Sequence, residues 1–175
     1  MYDDLANKHN IYKLETVGDC YVAVAGLMKP CENGMVELEE EYDPKSVHNI
    51  VAFAKDMIEN VKKIRGPRGC PVAIRTGIHI GSVNSGVIGY KMPKFVLTGD
   101  AMNIASRLEQ LCSPGAIHVS AEVINRLCPN TVGFAPRGAI EVKGKGKMNT
   151  FIYAKDNDMH NCIETELSSL DLAFI

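Results

Sequence analysis

The stretch Ile11-Tyr12-Lys13-Leu14-Glu15-Thr16-Val17-Gly18-Asp19-Cys20-Tyr21-Val22-Ala23-Val24 reads as two short β-strands meeting at a tight corner. Residues 11–16 alternate apolar and polar, the period of a half-buried strand. Residues 20–25 are nearly all apolar, as in a strand covered on both faces. Between them, Gly18 followed by Asp19 is a turn signal. A carboxylate at a hairpin tip can reach a metal or a phosphate-bound metal. The plainer reading of this stretch alone is a turn aspartate that only hydrogen-bonds nearby backbone.

Outward from this hairpin, residues 1–10 look like the last turns of a helix, which suggests a truncated chain. Residues 28–45 hold Pro30, Asn33-Gly34, Pro44 and an acidic cluster, and read as a surface excursion. Ser46 is a candidate cap for a helix over 47–64. Its apolar residues recur at three and four, so one face packs on a sheet. Strand candidates follow at 71–80, 87–88 and 94–98, then a helix over 101–112. A strand at 116–119, a helix at 121–128 and strands at 131–136, 139–142 and 150–154 complete the pattern. Residues 156–175 form an acidic tail whose end could be a short amphipathic helix for a partner. Irregular alternation with several hairpins predicts an α/β sandwich: a mixed, mostly antiparallel sheet covered on one side by helices.

The helix over 101–112 has two faces. Ala101, Ile104, Ala105, Leu108, Leu111 and Cys112 are apolar and adjacent, whereas Asn103, Arg107 and Gln110 share another side. An amide and a guanidinium one turn apart can both address an anionic oxygen; a solvated polar face is the plainer reading. The turn Lys143-Gly144-Lys145-Gly146-Lys147 can bind phosphate or be an ordinary solvated hairpin.

Composition narrows the class. The 175 residues suit one domain, and a net charge of −2 leaves no basic footprint for nucleic acid. No apolar run approaches the ~20 residues needed to span a bilayer. The six cysteines show no C-x-x-C pair, so neither a zinc site nor a disulfide framework is indicated. Reduced thiols in a cytosolic domain are the simplest account. The glycines at 77, 81, 86 and 89 make neither a dinucleotide fingerprint nor a P-loop.

Four ordered motifs carry a resemblance: Tyr12-Lys-Leu-Glu-Thr-Val-Gly-Asp-Cys-Tyr21, Ile74-Arg-Thr-Gly-Ile-His-Ile-Gly81, Met92-Pro-Lys-Phe-Val-Leu-Thr-Gly-Asp-Ala-Met-Asn-Ile-Ala-Ser-Arg-Leu-Glu109 and Arg137-Gly-Ala-Ile-Glu-Val-Lys-Gly-Lys-Gly146. Together they resemble the catalytic domain of class III adenylate and guanylate cyclases. The resemblance implies a ferredoxin-like α+β sandwich over residues 1–155, with 156–175 as a tail. It also implies cyclisation of a nucleoside triphosphate by its own 3′-hydroxyl, with two Mg²⁺ or Mn²⁺ ions. The site would lie between two cyclase domains packed head to tail. By motif position Asp19 resembles a metal aspartate, and Arg75 an arginine that reaches the phosphates across the dimer. Asn103 and Arg107 resemble the asparagine that orients the ribose and the arginine that stabilises charge on the α-phosphate. Lys143 resembles the lysine that holds the terminal phosphates.

Base choice in this family depends on two positions, here Glu15 and Val96. Glutamate at the first favours guanine; valine departs from the common cysteine at the second. The implied reaction is therefore GTP to cyclic GMP and pyrophosphate, with ATP cyclisation or a non-catalytic cyclase-homology partner as alternatives. An unrelated α/β binding module is the remaining reading. The resemblance implies a cytoplasmic domain, including as the cytosolic part of a larger membrane-bound or multidomain protein. The family's opening strand, which carries the first metal aspartate, has no counterpart here, and no copy of it occurs at the C-terminus. A central sheet edge is therefore expected to lie open.

Overall fold

In the computed structural model, strands β1 (Tyr12–Val17) and β2 (Cys20–Val24) form the expected antiparallel hairpin, with Gly18 and Asp19 as its loop. Gly18 has φ +62°, a left-handed conformation that side chains rarely adopt. The ladder is interrupted: Lys13 pairs with Ala23 but Glu15 with Val22, leaving Leu14 as an extra residue. Such a bulge turns the following side chains to the opposite face. Glu15 therefore shares a face with Tyr12. Lys13 lies on the other face, over the Tyr21 ring at 5.1 Å and ion-paired to Asp3 at 3.1 Å.

The structure describes residues 1–30, 36–38, 43–67, 69–128, 133–142, 146–154 and 170–174. Helix α1 (Tyr2–Lys8) precedes the hairpin, and β3 (Met28–Pro30) pairs with β4 (Val36–Leu38) after it. Then come α2 (Lys45–Val61), β5 (Ile74–Ile78), β6 (Asn84–Ile88), β7 (Lys94–Thr98) and α3 (Asp100–Gln110). β8 (Ala116–Ser120), α4 (Ala121–Arg126), β9 (Phe134–Val142), β10 (Gly146–Ala154) and β11 (Leu170–Phe174) complete the chain. The main sheet runs β1-β2-β11-β5-β8-β10-β9 and is mixed: β11 is parallel to both β2 and β5, β5 is parallel to β8, and the outer pairs are antiparallel.

Four local expectations need correction. Ser46 is not the cap of α2; the Asp43 carboxylate accepts the Lys45 N–H at 2.9 Å, and Ser46 donates to the Asp43 carbonyl at 2.7 Å. The two strands expected at 131–136 and 139–142 are one strand, β9, because Gly138 at φ +112° lets the ladder shift register and continue. The end of the tail is a strand rather than an amphipathic helix. That strand also closes the central edge expected to lie open, because β11 is paired on both sides.

The helices do not share one side. Ile74, Ile78, Ile117 and Val119 pack with Val47, Ile50, Phe53, Ala54 and Met57 of α2 and with Val123 of α4. Phe53 and Met57 are fully buried, and each contributes roughly 1.5–3 kcal/mol. The alternate residues face the other way, where α3 lies. A Cβ on Gly77 would stand 2.2 Å from the Ala105 carbonyl oxygen and 2.4 Å from the Glu109 nitrogen. Ile104 and Leu108 of α3 then bury against Val142. The absence of a side chain at Gly77 is thus what lets a helix press on this second face.

His118 is fully buried under α3, with Nδ1 2.8 Å from the Leu108 carbonyl. Burial, opposed by that carbonyl and assisted by the Arg137 guanidinium, holds its pKa below the ordinary histidine value. A folded-state pKa below the unfolded one gives stability that is complete above the unfolded value and lost as pH falls. The melting temperature is therefore expected to drop as pH falls below about 6.5. A pH series of thermal melts, with His118→Asn flattening this part of the dependence, checks it.

Candidate active site

The bulge at Leu14 sets the first part of the site. It aims Tyr12 and Glu15 at β7, where the Tyr12 and Phe95 rings meet edge-on at 6.3 Å. The Glu15 carboxylate forms an ion pair with the Lys94 ammonium. Val96, two residues along β7, falls on the same strand face as Lys94 and is half-buried. Glu15 and Lys94 are thus brought together as a carboxylate and an ammonium, and Val96 shares Lys94's face of the strand. Lys94 was not singled out from the sequence, although its spacing from Val96 at the strand period was visible.

Asp19 sits exposed at the tip of the same hairpin. Asn103 and Arg107 are exposed one turn apart on the outer face of α3, and the other side of that helix is buried. Among the described residues, none of these three side chains makes a hydrogen bond or ion pair, so all three remain available to a ligand. Arg75 is different. Its Nε donates to the buried Glu109 carboxylate at 2.7 Å, tying β5 to α3. Lys143 lies outside the described residues; the flanking Val142 and Gly146 pair across the β9–β10 turn.

Asp19 offers the hard oxygen that Mg²⁺ or Mn²⁺ prefers. Among the described residues no group of three or more His, Cys, Asp or Glu gathers around Asp19 or elsewhere. A cavity of about 340 Å³ lies at the opposite ends of β2 and β5, lined by Val24, Leu27, Ser46, Ile50, His79 and Arg126 among others. None of Glu15, Asp19, Arg75, Val96, Asn103 and Arg107 lines it.

Comparison with known proteins identifies the family and the fold. The family described as adenylate and guanylate cyclase catalytic domain matches residues 1–155. The chain is 38% identical over 151 residues to guanylate cyclase soluble subunit beta-2 of Rattus norvegicus, covering 86% of this chain and 20% of that protein. It therefore spans about a fifth of that relative's length. The crystal structure of the guanylate cyclase domain of RhGC from Catenaria anguillulae in complex with GTP superposes with a TM-score of 0.68 at 32% identity, covering 89% of this chain and 79% of that one. A dimeric guanylyl cyclase domain of the RhoGC fusion protein from Blastocladiella emersonii gives 0.65 at 28% identity, covering 87% and 76%. Among the described residues no helix is long and apolar enough to cross a membrane. The chain belongs to the family of adenylate and guanylate cyclase catalytic domains.

Proposed function

We propose that the chain is a guanylate-type cyclase domain that converts GTP to cyclic GMP and pyrophosphate. The observation that carries the choice of base is the Glu15–Lys94 ion pair, with Val96 on Lys94's face of β7. The Watson–Crick edge of guanine offers N–H donors that suit a carboxylate and a carbonyl oxygen that suits an ammonium. Adenine reverses both, offering an acceptor to Glu15 and an amino group to Lys94. The relatives named above, guanylate cyclases by name, support the same base.

In the reaction the ribose 3′-oxygen bonds to the α-phosphorus, its proton leaves to solvent, and pyrophosphate departs with the bonding electron pair. Asn103 orients the ribose, and Arg107 neutralises charge that grows on the α-phosphate oxygens, a preorganised electrostatic contribution. Lys143 holds the terminal phosphates as a point charge. Arg75, with Nε fixed by Glu109, presents its charge to the phosphates from a set direction. Asp19 holds Mg²⁺ or Mn²⁺, and a second such ion is part of the reading; when bound, these ions supply Lewis acidity at the phosphate oxygens.

The domain works as a head-to-tail pair, with Asp19 and Glu15 from one copy facing Asn103 and Arg107 of the other. The β6–β7 ribbon supports this, because it stands apart from the main sheet and exposes Val87 (68%), Ile88 (63%), Tyr90 (100%) and Met92 (85%). Apolar exposure on that scale marks a contact surface. Burial pushes the Cys112 thiol up to about 11, which makes it inert.

The base reading is tested by product ratio. Glu15→Lys alone sets a second ammonium against Lys94, so it is expected to lose GTP turnover without gaining ATP turnover. Adding Lys94→Met and Val96→Asp relieves that repulsion. The triple variant is expected to shift the ratio of cyclic AMP to cyclic GMP by about 10-fold or more. An unchanged ratio overturns the assignment of base selection to this cluster.

A further inference from the structure

The last carbonyls of a helix have no amide inside it to accept from. At the end of α3 the chain also tightens. Leu111 N–H donates to the Arg107 carbonyl at 3.1 Å, but Cys112 N–H donates to the Glu109 carbonyl at 2.8 Å, which leaves the Leu108 carbonyl without its regular helical donor. Gly115 N–H turns to the Ile74 carbonyl at 2.8 Å, so the Leu111 carbonyl loses its donor as well. The sheet supplies both partners. His118 of β8 is fully buried with Nδ1 2.8 Å from the Leu108 carbonyl. Arg137 of β9 donates from Nη1 to the Leu111 carbonyl, and its positive charge suits the negative end of the helix dipole.

A bulge aims Arg137. Gly138 pairs with Thr150 but Pro136 with Phe151, so Arg137 is an extra residue in β9. The buried Thr150 hydroxyl donates to the Gly138 carbonyl at 3.0 Å and holds this kink. Bulges interrupt a ladder and re-aim a side chain; this one sends a guanidinium to the end of α3.

The two partners also meet. Arg137 Nη1 lies 3.1 Å from His118 Nδ1. That ring nitrogen serves one neighbour at a time: protonated it donates to Leu108, and bare it accepts from Arg137. His118 Nε2 is buried with no partner among the described residues. An orphaned N–H is rarer in a protein interior than an unpaired acceptor, so the proton belongs on Nδ1. In this tautomer both helix carbonyls are satisfied, Leu108 by His118 and Leu111 by Arg137.

We propose that His118 and Arg137 are positioning residues: together they clasp the C-terminal end of α3 and set where the helix presents Arg107 and Asn103. Leu108 directly follows Arg107, so the clasp acts one residue from the group assigned to the α-phosphate. The effect on turnover rests on the cyclase reading, whereas the clasp itself does not.

The test uses the full chain. The imidazole nitrogen NMR signals of His118, identified by their loss in His118→Asn, are expected to show Nδ1 protonated and Nε2 bare at neutral pH. The opposite tautomer overturns the clasp. Arg137→Met and His118→Leu are each expected to accelerate amide exchange at Leu111 and Cys112 by about 10-fold, while Phe53–Met57 of α2 keep their parental rates. His118→Asn keeps an N–H donor near the place of Nδ1 and is expected to retain slow exchange in α3. Arg137 is exposed, so Arg137→Met decides this arm if His118→Leu does not fold. Parental exchange in Arg137→Met, equal acceleration in α2 and α3, or fast exchange in His118→Asn overturns the proposal. With GTP and Mn²⁺, kcat is expected to fall about 10-fold or more in Arg137→Met with KM little changed, and to stay near parental in His118→Asn. Parental kcat beside a loosened last turn overturns the positioning role. A parent that makes no cyclic nucleotide counts against the cyclase reading, and the tautomer and the exchange rates then decide the clasp.

Discussion

Gly77→Ala is expected to destabilise the domain by about 3 kcal/mol or more. The added methyl would meet the Ala105 carbonyl at 2.2 Å, the Glu109 nitrogen at 2.4 Å and the Glu109 Cα at 2.9 Å. All three are backbone atoms of α3, so no side-chain rotation relieves the clash. Either the helix lifts from the sheet, or β5 moves and disturbs its ladders with β8 and β11. Total stabilities of about 5–15 kcal/mol leave little margin for either. Lifting α3 also breaks the Arg75–Glu109 tie and leaves a buried carboxylate without that partner. Gly86→Ala is the control. Nothing lies within 4 Å of its added Cβ, and a change within about 0.5 kcal/mol is expected. Denaturant unfolding of both variants checks the contrast.

Asn103→Ala and Arg107→Ala are each expected to lower kcat about 100- to 1000-fold. Their unfolding transitions should match the parent, because both side chains are exposed and make no hydrogen bond or ion pair among the described residues. Steady-state kinetics and thermal melts together separate lost chemistry from lost fold. Geometry between copies adds a sharper expectation. If Asp19 and Arg107 serve one site from two chains, Asp19→Ala mixed with Arg107→Ala regains about a quarter of parental activity. Half of the random pairs are mixed, and each mixed pair holds one intact site of two.

Most of this architecture was legible because it is local. The Gly18-Asp19 corner, the apolar stripe of α2 and the two faces of α3 are short-range patterns, and each became the expected element. The fourfold motif order then pointed to the family. What escaped reading depended on distant partners or on one residue of register. Leu170–Phe174 is too short for a helix period to be told from a strand period, and its neighbours lie far away in sequence. The Leu14 bulge is invisible in composition, yet it decides that Glu15 faces Lys94. The helix on the second face did leave a trace, since a glycine inside a strand, here Gly77 within Ile74–Ile78, signals close backbone approach.

The central claim is cyclisation of GTP at a site that includes Asp19, and product formation tests it most directly. Purified chain would be supplied with Mn²⁺ and either GTP or ATP, with the Asp19→Ala variant run in parallel. The expected result is cyclic GMP from the parent, with kcat/KM higher for GTP than for ATP, and its loss in Asp19→Ala. Cyclic GMP formation that survives Asp19→Ala, a preference for ATP, or no cyclic nucleotide from either substrate would contradict the account.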